Sequence, residues 1–281
     1  MKIENRYNIL EKIGSGGFSK VFSGKDSITG NDIAIKVDSS NIRSGKRKRE
    51  LVIYEADVLS WIHRNGVIRG IPKLHWSGYI QSKNNNKYPA IIIDKLGDDL
   101  ERVLQHRTLS IIETSHLGLG LLNILQNIHN RGILHRDLKP ANIMLGHSDA
   151  DIYIADFGLA KKYLDKTGSH IPYCDNKTGI TGTIRYCSTY SHYGIESSRR
   201  DDMQSFLFIL VYMLKGKLPW QSEKNKKKNV AKVKNQNFFE DTLCKDCPRQ
   251  IQMIAKHISQ LEFDEKPNYG LIKRLLTELI T

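Results

Sequence analysis

The segment His135 to Asn142 reads HRDLKPAN, and the segment Ile152 to Gly158 reads IYIADFG. In the first segment, the Asp137 carboxylate can accept or orient the proton of a hydroxyl group, and the side chain of Asn142 can turn back toward a metal ion. Asp156 lies at the end of a predicted β-hairpin and supplies further hard oxygen to the same metal. The order of these residue types therefore predicts a catalytic centre built around metal-bound nucleotide phosphates.

A glycine-rich turn and a lysine-bearing strand precede these segments. Residues Gly14 to Val21 read GSGGFSKV between two predicted strands, where backbone N–H groups can approach a phosphate closely. The turn leads into a strand and not into a helix, which argues against a dinucleotide-binding unit. The next strand, Ile33 to Val37, carries Lys36 within an apolar run. Taken alone, this ammonium group either reaches solvent or meets anions.

The structural pattern of the chain changes near residue 97. Before it, one predicted helix over 48–62 interrupts β-type runs, and after it helical spacing predominates. We therefore predict an α+β, bilobal fold with a small β-rich lobe over 1–96 and a larger, mainly helical lobe over 98–281. A hinge near 94–97 joins the lobes, and a cleft between them is the expected ligand site. The predicted C-terminal helices are 110–130, 200–215, 248–261 and 269–280.

Together, these features match the signature set of protein kinases. On this interpretation, Lys36 contacts the α and β phosphates of ATP, and a glutamate of the 48–62 helix holds the lysine in place. Glu55 lies on the apolar face of that helix and is the favoured partner, with Glu50 as the alternative by helical phase.

The signature also predicts roles for polar residues of the second lobe. Asp137 positions the acceptor hydroxyl, Lys139 screens the charge of the transferring phosphoryl group, and Asn142 and Asp156 bind Mg²⁺. Little covalent chemistry is required, because placement and charge stabilisation lower most of the barrier. The predicted catalytic residues are Asp137, Lys139, Lys36 and Glu55.

Beyond the general signature, the chain carries a set of short, specific segments. They are Gly70 to Pro72, Trp76, Gly78, Asp156 to Tyr163, His170 to Tyr173, Thr181 to Tyr186, Gly194 to Asp202, Leu218 to Gln221, Leu243 to Lys245 and Phe263 to Tyr269. Ser188-Thr189-Tyr190 stands where most protein kinases carry Ala-Pro-Glu. In all of these segments the chain resembles the casein kinase I family, and the resemblance covers it from about Tyr7 to its end.

The resemblance implies an ATP-dependent serine/threonine protein kinase and residues that bind the nucleotide. Ile93 would guard the back of the adenine pocket, and Asp94 to Leu96 would present the hinge backbone to adenine. The full predicted nucleotide-binding set is Gly14, Ser15, Gly16, Gly17, Phe18, Val21, Ala34, Lys36, Ile93, Asp94 and Leu96.

The resemblance further implies acceptors that lie downstream of an acidic or already phosphorylated residue. The family's anion-recognition positions correspond to Arg136, Lys161 and Lys177 around the activation segment, and to Arg185 beside the acceptor. Guanidinium and ammonium groups at these positions would recognise phosphate by charge and, for arginine, by a bidentate fork. One lysine of the 224–234 stretch is expected to join Arg185, and the sequence does not choose among them.

The composition is that of a globular protein with a basic excess. The 281 residues include 43 Lys plus Arg and 30 Asp plus Glu, so that 43 − 30 = +13. Such an excess implies a negatively charged partner, which the resemblance identifies as an acidic or phosphorylated protein and not primarily nucleic acid. The alternative from another class is a catalytically weak, kinase-like scaffold that binds partners or nucleic acid through basic surfaces. Residues 46–49, KRKR, are either a nuclear import signal or a basic loop.

Neither a membrane span nor a disulfide framework is predicted. The longest apolar run, Phe206 to Leu214, is far shorter than the roughly 20 residues that cross a bilayer. With 4 cysteines in the chain, a reducing compartment is favoured. We therefore expect a monomeric intracellular protein of the cytoplasm, the nucleus or both.

Overall fold

The computed structural model describes residues 2–16, 19–38, 50–81, 85–146, 151–176, 179–221, 230–234 and 242–281. The chain folds into two compact units, Met1–Gly97 with Ala155–Gly158, and Asp98–Ile154 with Leu159–Thr281. The first is rich in strands and the second is mainly helical. The predicted α+β class is confirmed.

The described part of the first unit is built on a six-stranded antiparallel sheet with one helix. The elements are β1 (Lys2–Ile3), β2 (Tyr7–Ser15), β3 (Ser19–Asp26), β4 (Asp32–Asp38), α1 (Leu51–His63), β5 (Leu74–Gln81) and β6 (Lys87–Asp94). The strand order in the sheet is β1-β2-β3-β4-β6-β5.

Strand β4 lies inside this sheet, and its side chains alternate between an apolar face and the opposite face, which carries Lys36. Ile33, Ile35 and Val37 pack into the apolar cluster of the unit. Because side chains alternate along a strand, Ala34 and Lys36 project from the opposite face. Period-two alternation in the sequence thus decides which face carries the lysine.

The segment Ala155–Gly158 follows a strand of the second unit but packs with the first. Asp156 bonds to Lys36, and the backbone N–H of Phe157 donates to Glu55. The sequence-based division had assigned these residues to 98–281. The structure differs because the polar contacts of this turn are made with β4 and α1.

Over its described residues, the second unit consists of helices and two short β-ladders. Strand β7 (Ile133–Leu134) pairs with β10 (Lys161–Lys162), and β8 (Ile143–Leu145) pairs with β9 (Ile152–Ile154). Residues 230–234 are also helical. The bounds of the other helices are α2 (Leu100–Leu104), α3 (Ile111–Asn130), α4 (Thr189–His192), α5 (Arg199–Lys215), α6 (Arg249–Ser259) and α7 (Tyr269–Thr277).

Helix α5 forms the centre of the second unit. It is buried from Arg200 to Met213, so the apolar run of the sequence packs against protein on all sides. Among the described residues, no helix has both the length and the apolar composition needed to cross a bilayer.

The start of α5 contains a buried carboxylate whose protonation we expect to affect stability. Asp201 accepts hydrogen bonds from Ser188 Oγ and from Ser198 N. Burial raises the pKa of Asp201 to about 6, against the effect of these two donors. The folded state therefore binds this proton more tightly than the unfolded state, whose carboxyl titrates near 3.8.

We therefore expect the free energy of unfolding of the wild type, minus that of Asp201→Asn, to fall by roughly 1–3 kcal/mol as the pH rises from 4 to 7. Urea unfolding of both proteins across this range measures the difference. Asp264→Asn, at an exposed position, is the matched control and should show no such trend. A constant difference for Asp201→Asn would contradict the prediction.

Candidate active site

Lys36 lies at the centre of a charge cluster in the first unit. Its Nζ donates to Glu55 Oε2 at 2.7 Å and to Asp156 Oδ1 at 2.8 Å. The other oxygen of Glu55 accepts from Phe157 N at 3.2 Å. The two carboxylates thus fix the position of the ammonium group from two sides.

The choice between Glu55 and Glu50 follows from the orientation of α1. The helix buries the face that carries Val52, Glu55 and Ala56, and Glu55 is 2% exposed. Glu50 precedes the helix, is exposed, and accepts from the Tyr79 hydroxyl at 2.6 Å. Helical phase favoured Glu55 but kept Glu50 as an alternative partner of Lys36. In the structure, Glu55 bonds to Lys36 and Glu50 bonds to Tyr79.

Burial and charge act in opposite directions on this cluster. Burial by itself would lower the pKa of Lys36, but the charges of Glu55 and Asp156 outweigh it and raise the pKa above its ordinary value. Burial also raises the pKa of Glu55, and the attraction of Lys36 opposes this. The lysine therefore remains protonated.

Several predicted nucleotide-binding residues share one face of the sheet with Lys36. In the antiparallel register, Lys36 is opposite Val21, and Ala34 is opposite Ile93. Directly paired residues project to the same side of a sheet. Apolar side chains thus adjoin the ammonium group on the face turned away from the core.

The glycine-rich segment closes the hairpin between β2 and β3. Gly14 is opposite Val21, Ser15 is opposite Lys20, and Gly16 N donates to Ser19 O at 2.8 Å. The predicted ligands Gly17 and Phe18 lie outside the described residues.

The predicted hinge follows β6. The carboxylate of Asp94 accepts from Lys73 N at 2.8 Å and contacts His75 Nε2 at 2.7 Å. Leu96 lies in the irregular segment beyond the strand and is half-buried. Because its side chain is bound by β5 and the residue before it, Asp94 can offer a nucleotide only its backbone.

Asp137 is the centre of a second polar cluster, in the second unit. Its Oδ1 accepts from the backbone N–H of Thr183 at 2.8 Å and from the Thr183 hydroxyl at 2.7 Å. Its Oδ2 accepts from Lys139 Nζ at 2.8 Å, and Lys139 also donates to Thr183 Oγ1 at 3.1 Å. Thr183 occurred in the sequence analysis only as part of a family segment, and the structure makes it a direct partner of the carboxylate.

Buried polar contacts hold the backbone that carries Asp137. Asp202 accepts from the backbone N–H groups of His135 and Arg136, each at 2.8 Å. Arg136 has a positive φ of 68°, a conformation that is strained for a non-glycine residue. A Cβ on Gly182 would lie 2.5 Å from the Arg136 carbonyl oxygen. Only glycine therefore allows the segment of Thr183 to pass this close to Asp137.

The two predicted metal ligands offer oxygen atoms of the right kind. Asn142 Nδ2 donates to the Asp137 carbonyl oxygen at 2.8 Å and to Asp137 Oδ2 at 3.4 Å, and neither bond uses Asn142 Oδ1. The Asp156 side chain is 46% exposed. No group of three or more His, Cys, Asp and Glu suited to a metal occurs in the described part of the chain. Amide and carboxylate oxygens of this kind suit a magnesium ion that obtains its other ligands from phosphates and water.

Among the predicted anion-recognition residues, Arg136 and Lys161 form hydrogen bonds with neighbouring segments. Arg136 Nε donates to the Leu159 carbonyl oxygen at 2.7 Å. Lys161 Nζ donates to Glu196 Oε2 at 2.7 Å, with side-chain exposures of 30% and 7%. The lysine thus has a buried internal partner, which the sequence analysis did not identify. Lys177 lies outside the described residues.

Arg185 lines a groove of about 680 Å³ beside Lys139. Its walls combine polar and apolar side chains with the backbone of the Thr183 segment. This volume lies within the range of ligand-binding clefts in proteins. The lining residues are Glu101, Lys139, Ala141, Gly182, Thr183, Ile184, Arg185, Tyr186, Trp220, Gln221 and Val230.

The stretch expected to supply a lysine partner for Arg185 is described only in part. Residues 224–228 lie outside the described ranges, as does the basic run 46–49. Lys232 is exposed, whereas Lys234 is fully buried and donates to two backbone carbonyl oxygens at 2.6 Å. Lys234 is therefore unavailable to bind a substrate anion.

Comparison with known families agrees with the fold. Residues 7–279 match the model of the protein kinase domain. The chain belongs to the protein kinase family. It is accordingly a phosphotransferase that uses ATP with a divalent metal ion and acts on protein substrates.

Proposed function

We propose that this protein kinase is of the casein kinase I type and transfers the γ-phosphoryl group of ATP to serine or threonine. It prefers acceptors that follow an acidic or phosphorylated residue. The observation that carries the proposal is the arrangement of Asp137, whose two oxygens are held by Thr183 and Lys139. This arrangement leaves the carboxylate in one orientation, as a group that positions an acceptor hydroxyl must be.

The acceptor and the phosphoryl group are handled by neighbouring side chains. Asp137 accepts the proton of the acceptor hydroxyl, and Lys139, bonded to both Asp137 and Thr183, places positive charge beside the transferring group. Lys36 uses two of its three donors for Glu55 and Asp156. Its third donor is left to contact the nucleotide phosphates.

A bound magnesium ion would neutralise charge on the phosphates, and Asn142 Oδ1 and the Asp156 carboxylate would be the side-chain groups to hold it. Two hydrogen bonds from Asn142 Nδ2 to Asp137 orient the Asn142 amide, so that its NH₂ group is directed at Asp137. The Asp156 backbone has a φ of 62°, and Oδ1 accepts from Lys36.

Substrate preference is assigned to the cationic residues Arg136, Lys161 and Arg185. Each carries a positive charge in or beside the segments that adjoin Asp137, and Arg185 lines the groove. Phosphoserine brings about −1.5 to −2 charges and three acceptor oxygens, whereas a carboxylate brings a single charge. Phosphorylated residues should therefore be preferred over acidic ones, and acidic ones over neutral ones.

A peptide set tests this function. The peptides are identical except for one residue upstream of the acceptor, which is phosphoserine, aspartate or alanine. With Mg-ATP we expect label on serine or threonine only, with kcat/KM decreasing in that order. Lys161→Met should reduce kcat/KM for the phosphoserine peptide about tenfold, the value of one charge-assisted hydrogen bond, and leave the alanine peptide unchanged.

The matched control is Lys162→Met, at the exposed neighbouring position in β10. It should behave as wild type on all three peptides. A preference for basic, unprimed peptides would contradict the proposed substrate class. Absence of transfer to any peptide or to casein would favour the catalytically weak scaffold.

A further inference from the structure

The turn at residues 183–187 has an unusual hydrogen-bonding pattern. Residues 183–187 lie outside any helix or strand, and buried carbonyl groups without partners are costly. The Thr183 carbonyl oxygen accepts from Tyr186 N and Cys187 N, each at 2.8 Å. The remaining carbonyl oxygens accept from side chains that are distant in sequence.

Three side chains that are distant in sequence supply these bonds, and Cys187 Sγ also donates to Ile184 O at 3.6 Å. Lys234 Nζ donates to Ile184 O and to Cys187 O, each at 2.6 Å. Trp220 Nε1 donates to Arg185 O at 2.8 Å. Ser205 Oγ, from α5, donates to Tyr186 O at 2.8 Å. Every carbonyl oxygen from 183 to 187 is thereby satisfied.

Among these three side chains, the charged Lys234 has the largest free-energy cost of burial. It is 0% exposed, and its ammonium group lies 5.3 Å from the ring centroids of Phe208 and Trp220. None of the ion pairs among the described residues involves it, and burial lowers the pKa of Lys234 to about 8. A buried ammonium group without a carboxylate costs stability. A shorter apolar residue would avoid that cost but would leave Cys187 O without its Lys234 donor and Ile184 O without its short bond to Lys234.

The turn that Lys234 holds leads directly to the proposed acceptor site. Thr183, at its start, bonds to Asp137 and Lys139, and Arg185 lines the adjoining groove. We propose that Lys234 and Trp220 are positioning residues, which fix the 183–187 turn so that Thr183 and Arg185 can bind the acceptor peptide. This inference rests on the proposed function for its effect on catalysis.

The kinetic test separates peptide binding from nucleotide binding. Lys234→Met removes the donors at similar length, and Trp220→Phe removes only the Nε1 donor while retaining an aromatic ring. We expect the KM for the phosphoserine peptide to rise about tenfold in Lys234→Met and less in Trp220→Phe. The KM for ATP should remain within about twofold, because Lys36, Val21 and Ala34 belong to the other unit. Lys256→Met, at an exposed position of α6, should leave both KM values unchanged.

Hydrogen exchange gives a second readout that does not require activity. The Tyr186 and Cys187 amides, which bond to Thr183 O, should exchange faster in both variants, while the amide of Leu210 in α5 should not change. Unchanged protection at 186 and 187 would overturn the inference even if the wild type is an active kinase. A loosened turn with an unchanged peptide KM, or equal rises in the KM for ATP and peptide, would also overturn it. A wild type without transfer activity would instead overturn the proposed function, and the exchange rates would still show whether Lys234 fixes the turn.

Discussion

Replacing Asp137 with asparagine is expected to lower kcat by about 10³-fold, within the range for removal of a positioned general base. The substitution preserves the shape of the side chain. It replaces one carboxylate oxygen with an NH₂ group, although both oxygens now accept hydrogen bonds from Thr183 or Lys139. The variant thus loses the proton acceptor. It also places the NH₂ group of the new asparagine opposite a hydrogen-bond donor of Thr183 or Lys139.

The Asp137→Asn substitution should lower kcat without weakening nucleotide binding. Asp137 and its partners belong to the second unit, whereas the sheet face around Lys36 belongs to the first. We therefore expect the KM for ATP to change by no more than a few-fold. Steady-state transfer from Mg-ATP to casein measures both constants.

The same Asp264→Asn variant that controls for Asp201 serves here, because it removes a carboxylate at an exposed position of the second unit. Its kcat should equal that of the wild type. Equal label transfer by the wild type and by Asp137→Asn would defeat the assignment of Asp137 as the residue that positions the acceptor.

Lys36→Met is expected to reduce kcat/KM for ATP by about 10²-fold or more, because it removes a charged contact to phosphate in a poorly solvated site. It should also destabilise the fold by about 3 kcal/mol at pH 7, since Glu55 is 2% exposed and would lose its counter-ion. Phosphoryl transfer and urea unfolding measure the two effects separately.

The stability loss has a defined pH dependence. Burial already raises the pKa of Glu55, and Lys36 opposes this rise. Without the lysine, the folded state should take up a proton on Glu55 at a pH where the unfolded carboxyl is still ionised. The folded variant then binds more protons than the unfolded chain, so its deficit relative to wild type should shrink as the pH falls from 7 to 5.

A double variant distinguishes charge burial from catalysis. Lys36→Met with Glu55→Gln removes the unpaired carboxylate and should regain part of the stability without regaining activity. Recovery of activity in the double variant would contradict the role of Lys36 in phosphate binding. A single variant as stable as wild type would show that Glu55 does not need its partner.

Glu55 and Lys161 show where sequence-based prediction reaches its limit. Helical phase ranked Glu55 above Glu50, but only the packing of α1 showed which carboxylate is buried on the lysine. The resemblance to casein kinase I indicated Lys161 as an anion ligand. Its pairing with Glu196 became visible only when the chain segment before α5 was placed beside β10.

The positions of Lys36, Asp137, Asn142 and Asp156 were predicted from the sequence because each lies in a short motif. Local order is sufficient there, since the chemistry requires particular residue types at fixed spacing. The β-rich and helical units were likewise predictable from period-two and helical alternation.

Tertiary structure alone decided the partners of those residues. Thr183 lies on Asp137, and Lys234 and Trp220 hold the turn that carries it, although all three are distant from the catalytic segment in sequence. A lysine among other lysines carries no local signal of burial. Its environment depends on which backbone groups the folded chain brings to it, and neither periodicity nor motif spacing contains that information.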